Sequence, residues 1–331
     1  MRAFVPSEHA RHAPTKDYSD GLPPFDHLEV PARVELLLAG AREAMLVEPV
    51  EVAHRALDEV LALHDRDYVQ FLLALPDALG ADAEYLPAVF RGDLSRAPLL
   101  FQGGMYCKEV GTPVGAGSID AALSSAAAAV AAAQHALGGD DALAACRPPG
   151  HHAGRRRYGG YCFFNNAYLA ARELSRAGRR CAVIDLDYHL GDGSLEFATP
   201  QAPYFSLHAD PFRNYPYLDA SHAAVGAHAT LLTFEPGTTG AQYLARVDEL
   251  LSHAVDDGRD VAVISLGFDT LGLDYVQDET TAIVATDYEA IGARVARCEC
   301  PLLFVFEGGY DADNLQQCSR AFFGGFASAR G

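Results

Sequence analysis

From Ala142 onward, short apolar runs alternate with longer amphipathic stretches. Four runs read as strands, at 142–146, 181–187, 261–269 and 301–307, with 204–208 as a shorter fifth. Helical stretches such as 166–177 and 240–256 lie between most of them. Near-continuous apolar strands separated by helices predict a mainly parallel sheet covered on both faces. The first hundred residues differ, because Pro23-Pro24, Pro31, Pro49, Pro76 and Pro87 break them into loops. Helices fit between these breakers, for example over 31–44, where Pro31 suits a first helical turn. No internal repeat or low-complexity linker interrupts the 331 residues. The chain therefore reads as one α/β domain over 1–331, a central sheet flanked by helices, with a loop-rich N-terminal segment of about 1–110.

Composition narrows the picture. The Ala-rich stretch 121–137 is interrupted by Ser124, Ser125, Gln134 and His135. It reads as a tightly packed helix, since a membrane span needs about 18 or more uninterrupted apolar residues. The opening Met1-Arg2-Ala3-Phe4-Val5-Pro6 has no apolar signal core, so secretion is not expected. Seven cysteines is an odd count, and Cys298 and Cys300 form an unanswered CxC. Reduced thiols in a cytoplasmic protein are the expectation. There are 25 Lys+Arg against 44 Asp+Glu, a net charge of −19. Such a chain lacks the clustered cations that nucleic acid requires. It would attract small cations or basic protein tails, although the charge is equally explained by solubility alone.

The strand ends carry the candidate chemistry. Each predicted strand breaks into polar residues at its C-terminal end: Arg147-Pro148-Pro149-Gly150-His151-His152, then Asp185 through Gly193, then Gly267-Phe268-Asp269-Thr270, then Glu307-Gly308-Gly309-Tyr310. Ligands of open α/β sheets bind at those ends, so the four clusters converge on one site. Asp187 and His189, spaced i, i+2, point to the same side of an extended chain. With Asp269 they form a two-carboxylate, one-imidazole set suited to Zn²⁺ or Fe²⁺. Taken singly, each aspartate is equally well read as a helix cap. The adjacent His151 and His152 are candidates for general base and general acid, with Asp185 and Asp192 available to orient them. Tyr310 follows two glycines that permit a sharp turn, and it is a candidate donor to a developing oxyanion. No GxSxG, HExxH or GxxxxGK[ST] pattern occurs, and Gly115-Ala116-Gly117 reads as a loop.

These segments resemble a known family. RPPGHHA (147–153), GYCFFNN (160–166), DLDYHLGDG (185–193), SLH…YP (206–216), LGFDT (266–270) and EGGY (307–310) are similar to the histone deacetylase superfamily, which has the arginase/deacetylase fold. SLHADPFRNYPY, Asp20-Gly21, PARVE (31–35) and the region of Gly111-Thr112-Pro113 look most like its acetylpolyamine amidohydrolases.

The resemblance implies zinc held by Asp187, His189 and Asp269. It implies catalysis by His151 and His152 with Asp185 and Asp192 as their partners, and by Tyr310. Tyr161 and Tyr215 would line the acyl tunnel, and the Gly160 carbonyl would accept the substrate N–H. A structural potassium ion would sit on carbonyls of Asp185, Asp187 and His189 with Ser206 and Leu207. The family usually has a second histidine where this chain has Leu190. The expected activity is zinc-dependent removal of acetyl from a small cationic amine, an N-acetylated polyamine, by a cytoplasmic homodimer with no nucleic-acid or membrane partner. The alternatives are an acetyl-lysine deacetylase and, because of Leu190, a degenerate binding protein. Glu84, Asp93 and Glu109 lie where this family inserts its loops, but none is assigned to the tunnel mouth.

Overall fold

Alternation within the apolar runs explains how one sheet carries two cores. Val183, Val261, Val263, Leu303 and Val305 face one way, whereas Ala182, Ile184, Ala262, Ile264, Leu302 and Phe304 face the other. A computed structural model describes residues 1–18, 23–80, 83–88, 90, 92–218, 228–254 and 258–331. Its main sheet comprises β1 (Arg2–Pro6), β2 (Glu48–Val52), β3 (Ala142–Ala144), β4 (Cys181–Asp185), β5 (Tyr204–Ala209), β6 (Ala229–Phe234), β7 (Val261–Leu266) and β8 (Leu302–Phe306). All pairings are parallel, in the order β2-β1-β3-β8-β7-β4-β5-β6. Helices Ser118–Ala136 and Asn166–Arg176 cover the first face. Helices Ala32–Ala44, Gly240–Ala254, Asp287–Val295 and Ala312–Arg330 cover the second. Fully burying each large apolar side chain contributes about 1.5–3 kcal/mol, so both layers stabilise the sheet.

The predicted strands are present, four of them shorter and 204–208 one residue longer, as Tyr204–Ala209. The chain leaves the sheet after Ala144, Asp185, Leu266 and Phe306, and the polar ends expected within strands form the turns that follow. Helix 31–44 is observed as Ala32–Ala44 and 166–177 as Asn166–Arg176. Helix 240–256 is observed as Gly240–Ala254, and positions 255 and 256 lie outside the described residues, as do Asp20 and Gly21. The N-terminal segment is less loop-rich than expected, with strands β1 and β2 and helices Leu57–Leu63 and Arg66–Ala78. Pro49 sits within β2, which is an edge strand where a missing N–H is tolerated.

The Ala-rich segment is a packed helix, Ser118–Ala136. One of its serines has a purpose: Ser125 Oγ donates to the Pro148 carbonyl at 2.8 Å, tying the helix to the histidine-bearing loop. Among the described residues no helix is long and apolar enough to cross a membrane. All seven cysteines are unpaired.

Candidate active site

The turn after β3 carries His151 and His152 side by side, their ring centroids 4.0 Å apart. Buried ion pairs anchor this turn. Arg147 gives Nε to Glu29 Oε1 at 2.8 Å, and Arg33 gives Nη1 to the same oxygen at 2.7 Å. Arg33 also donates to the carbonyls of Gly309 and Glu307, at 2.7 and 2.5 Å. Two guanidinium groups thus hold Glu29 near pKa 2 against the opposing effect of burial. Glu307, pushed up to about 7 by burial, accepts from the backbone N–H groups of Gly150 (2.7 Å) and His151 (3.1 Å).

Each tandem histidine meets the expected carboxylate. His151 Nδ1 lies 3.2 Å from Asp185 Oδ2, and His152 Nδ1 lies 2.8 Å from Asp192 Oδ1. The two pairs are electrically different. Burial disfavours a charge on His151, but Asp187 and Asp185 outweigh it and raise its pKa well above the usual value. For His152, burial and the neighbouring His151 charge act together and push its pKa well below. The surroundings thus favour the charged form of His151 and the neutral form of His152.

Asp187, His189 and Asp269 converge, their ligand atoms lying within 4.8 Å of one another, and all three are buried. His189 Nδ1 is 3.1 Å from Asp269 Oδ2 and 3.4 Å from Asp187 Oδ1. Burial raises Asp269 to about 7, with the Asp187 charge adding to the effect. Two adjacent buried carboxylates need a cation, and this donor set fits a divalent ion with open positions. The cradle also fits: a Cβ on Gly308 would strike both carboxylates, and one on Gly267 would strike Asp187. His151, Cys162 and Glu307 form a second cluster of similar compactness. It is the poorer metal set, because burial keeps the Cys162 thiol protonated and His151 is engaged by Asp185.

A cavity of about 370 Å³ leads to this floor, lined by His151, His152, His189, Gly160, Tyr161, Tyr215 and Tyr310, among others. The Tyr161 and Tyr310 rings meet edge-on at 5.3 Å, and Tyr215 meets His152 edge-on at 4.8 Å. Arg33 lies 4.4 Å from the Tyr310 ring centroid. Gly160 has φ 55°, and a Cβ there would run into the His152 ring, so the position requires glycine. Among the remaining expected residues, Ser206 of β5 sits in register with Asp185 of β4, followed by Leu207. Leu190 is buried in the apolar core.

Other contributors have no role assigned by the sequence pattern. Glu109 accepts from the Gly160 N–H at 2.8 Å and from Thr112 Oγ1 at 2.9 Å, and it lines the cavity. Asp278 accepts from the Tyr215 N–H at 2.9 Å and from the Tyr217 hydroxyl at 2.7 Å. Asp274 accepts from the Tyr310 N–H at 2.6 Å. Tyr161 donates to Asp17 at 2.5 Å. Of the three unassigned acids, Glu109 reaches the cavity, whereas Glu84 accepts from the Thr15 N–H and Asp93 from the Ser95 N–H.

This floor of tandem histidines, carboxylates and tyrosine on a parallel sheet defines a class. Residues 27–326 match the histone deacetylase domain. The chain belongs to the histone deacetylase family and is a deacetylase. It is 36% identical to an acetylpolyamine amidohydrolase of Mycoplana ramosa over 95% of this chain and 96% of that one. It is 32% identical to an acetylpolyamine amidohydrolase of Burkholderia pseudomallei over the full length of both. A crystal structure of acetylpolyamine aminohydrolase from that organism superposes with a TM-score of 0.89 at 31% identity, covering 100% of each chain.

Proposed function

We propose that this single-domain chain hydrolyses the acetamide of N-acetylated polyamines. The observation that carries the reading is the narrow cavity of about 370 Å³, walled by Tyr161 and Tyr215 and ending on His151, His152 and Tyr310. A methylene chain ending in acetamide fits such a slot, and a net charge of −19 favours a cationic substrate. The full-length likeness to acetylpolyamine amidohydrolases supports the same substrate class.

Asp187, His189 and Asp269 would hold the divalent ion, zinc or iron(II). When bound, that ion supplies carbonyl polarisation and lowers the pKa of water. The chain's own groups do the rest. The Gly160 carbonyl accepts the amide N–H, and Tyr161 and Tyr215 align the acyl chain. His152, held neutral, takes a proton from the attacking water, while Asp192 orients its ring. Tyr310 donates a hydrogen bond to the carbonyl oxygen as negative charge develops there. A protonated histidine of the tandem pair then delivers a proton to the amine nitrogen as the C–N bond breaks. Asp185 steadies the charge on His151.

A potassium ion on carbonyls of Asp185, Asp187, His189, Ser206 and Leu207 belongs to the same reading. So do a cytoplasmic location, supported by seven unpaired thiols, and a homodimer, supported by exposed Tyr217 and Tyr275 beside the mouth. The test is acetate release from N-acetylputrescine by zinc-loaded protein, repeated after chelation. Turnover that disappears on chelation and returns with zinc is expected, and its absence with zinc bound overturns the proposal.

A further inference from the structure

Lys108 is a cation packed behind Tyr215, a wall residue of the channel read here as receiving a cationic amine. Its Nζ lies 2.5 Å from Asp192 Oδ2, and only 17% of its side chain is exposed. The opposite oxygen of Asp192 is the one that meets His152, at 2.8 Å. The same ammonium lies 4.7 Å from the centroid of the Tyr215 ring, and that ring packs edge-on against His152 at 4.8 Å. Lys108 therefore lies against two of the neighbours that fix the His152 ring, Asp192 and Tyr215. Its own place is set by a backbone hydrogen bond to the Tyr158 carbonyl at 2.9 Å. A side chain at position 159 would put its Cβ 2.8 Å from the Lys108 Cβ, so Gly159 leaves the stem its room. Arg157 also reaches Asp192, at 3.2 Å, but it is shared with Glu196 at 2.8 Å.

The other histidine has no counterpart to this arrangement. Asp185 is held by neutral donors, the Tyr204 hydroxyl at 2.7 Å and the Asp187 N–H at 3.1 Å. A strongly hydrated lysine loses solvation when it is enclosed this way. The short pair with Asp192 offsets that loss and cancels a charge that would repel the substrate.

We propose that Lys108 is a positioning residue for the reaction: it turns Asp192 toward His152 and braces Tyr215 behind the ring, so that the proton-accepting nitrogen faces the substrate. The proposal rests on the deacetylase reading above, which turnover by the unaltered protein tests separately. Lys108→Met keeps the stem and removes the ammonium. With N-acetylputrescine, kcat should fall about 10-fold or more, the range seen when a group that orients a functional histidine is lost. KM should stay within about twofold and bound metal should be unchanged, because the substrate's own contacts are intact. Lys108→Arg should restore most of kcat. In an Asp192→Asn background, Lys108→Met should cost nothing further, since both changes break one linkage. Unchanged kcat in Lys108→Met, a loss confined to KM, or losses that multiply in the double variant would each overturn the proposal. If Lys108→Met fails to fold, Lys108→Gln is read in the same assays. If both fail to fold, the residue is structural and the proposal falls.

Discussion

The floor of the site and its rim are built from different materials. The floor is buried: Asp187 and Asp269 are fully enclosed, and their positions follow from the turns after β4 and β7. The rim comes from loops far apart in the chain, and Tyr217 and Tyr275 there are 58% and 67% exposed. Charges on the floor act in a low dielectric, where removing one partner strands another. Charges on the rim are screened by water, and a pair there is worth about 0–1 kcal/mol. Chemistry therefore belongs to the floor, and preference among similar substrates belongs to the rim.

The sharpest break of that contrast is Asp269→Ala. It removes one of the three ligands proposed above and leaves Asp187 and His189 alone. Zinc content and turnover should be lost together, as read by metal analysis alongside acetate release. Retained zinc with normal turnover would remove Asp269 from the floor.

Next in size is Tyr310→Phe, which deletes a hydroxyl from the floor without touching the rim. The expected loss is about 10²–10³ in kcat with KM little changed, because an oxyanion donor matters most in the transition state. Steady-state kinetics decide it, and an unchanged kcat would assign the role to another group.

A third prediction concerns the scaffold beneath the floor. His64 is buried, its Nδ1 2.8 Å from the Gly154 carbonyl and its Nε2 accepting the Asn165 N–H at 3.1 Å. Burial lowers its pKa to about 4. The fold keeps it neutral while the unfolded chain takes up a proton below about pH 6.5. Its contribution is thus complete above about pH 6.5 and is lost as pH falls toward about 4. By pH 5 the loss should be about 2 kcal/mol. Urea unfolding at pH 7.5 and pH 5 should show a shallower pH dependence in His64→Gln than in the parent. Equal slopes would contradict the assignment.

The smallest effect is expected at the rim. Asp278→Asn removes an exposed carboxylate at the mouth. KM for N-acetylputrescine should rise by up to about fivefold, the limit of a solvent-screened pair, with kcat unchanged. The effect should shrink as salt is added. A loss in kcat instead would place Asp278 with the floor.

The same division explains what the sequence made legible. Floor residues sit beside apolar runs, so a strand and the turn after it place Asp185, Asp187, His189 and Tyr310 by local geometry. RPPGHHA and EGGY carry their neighbours with them. Rim residues have no such local frame. Phe25, Glu109 and Asp278 line one cavity only because distant loops fold over the carboxyl ends of the strands. Lys108 and Asp192 are 84 residues apart, and no periodicity links them. Arg33 and Arg147 stand within PARVE and RPPGHHA, but their pairing with Glu29 is not legible, since charged residues in a sequence read as surface until tertiary pairing buries them. The strands missed for a local reason were those at or next to the sheet margins, where Pro49 interrupts β2 and β6 is only partly covered.

In the proposed reading, a narrow, acid-bearing mouth delivers small cationic acetamides to a general deacetylase floor. The direct test is kcat/KM for N-acetylputrescine and N-acetylcadaverine against an acetyl-lysine histone-tail peptide, in one buffer and at two ionic strengths. The acetylpolyamines should be turned over with the higher kcat/KM, and the advantage should narrow at high salt. Equal efficiency on the peptide at both salt concentrations would contradict this polyamine preference and leave a general acetyl-lysine deacetylase in its place.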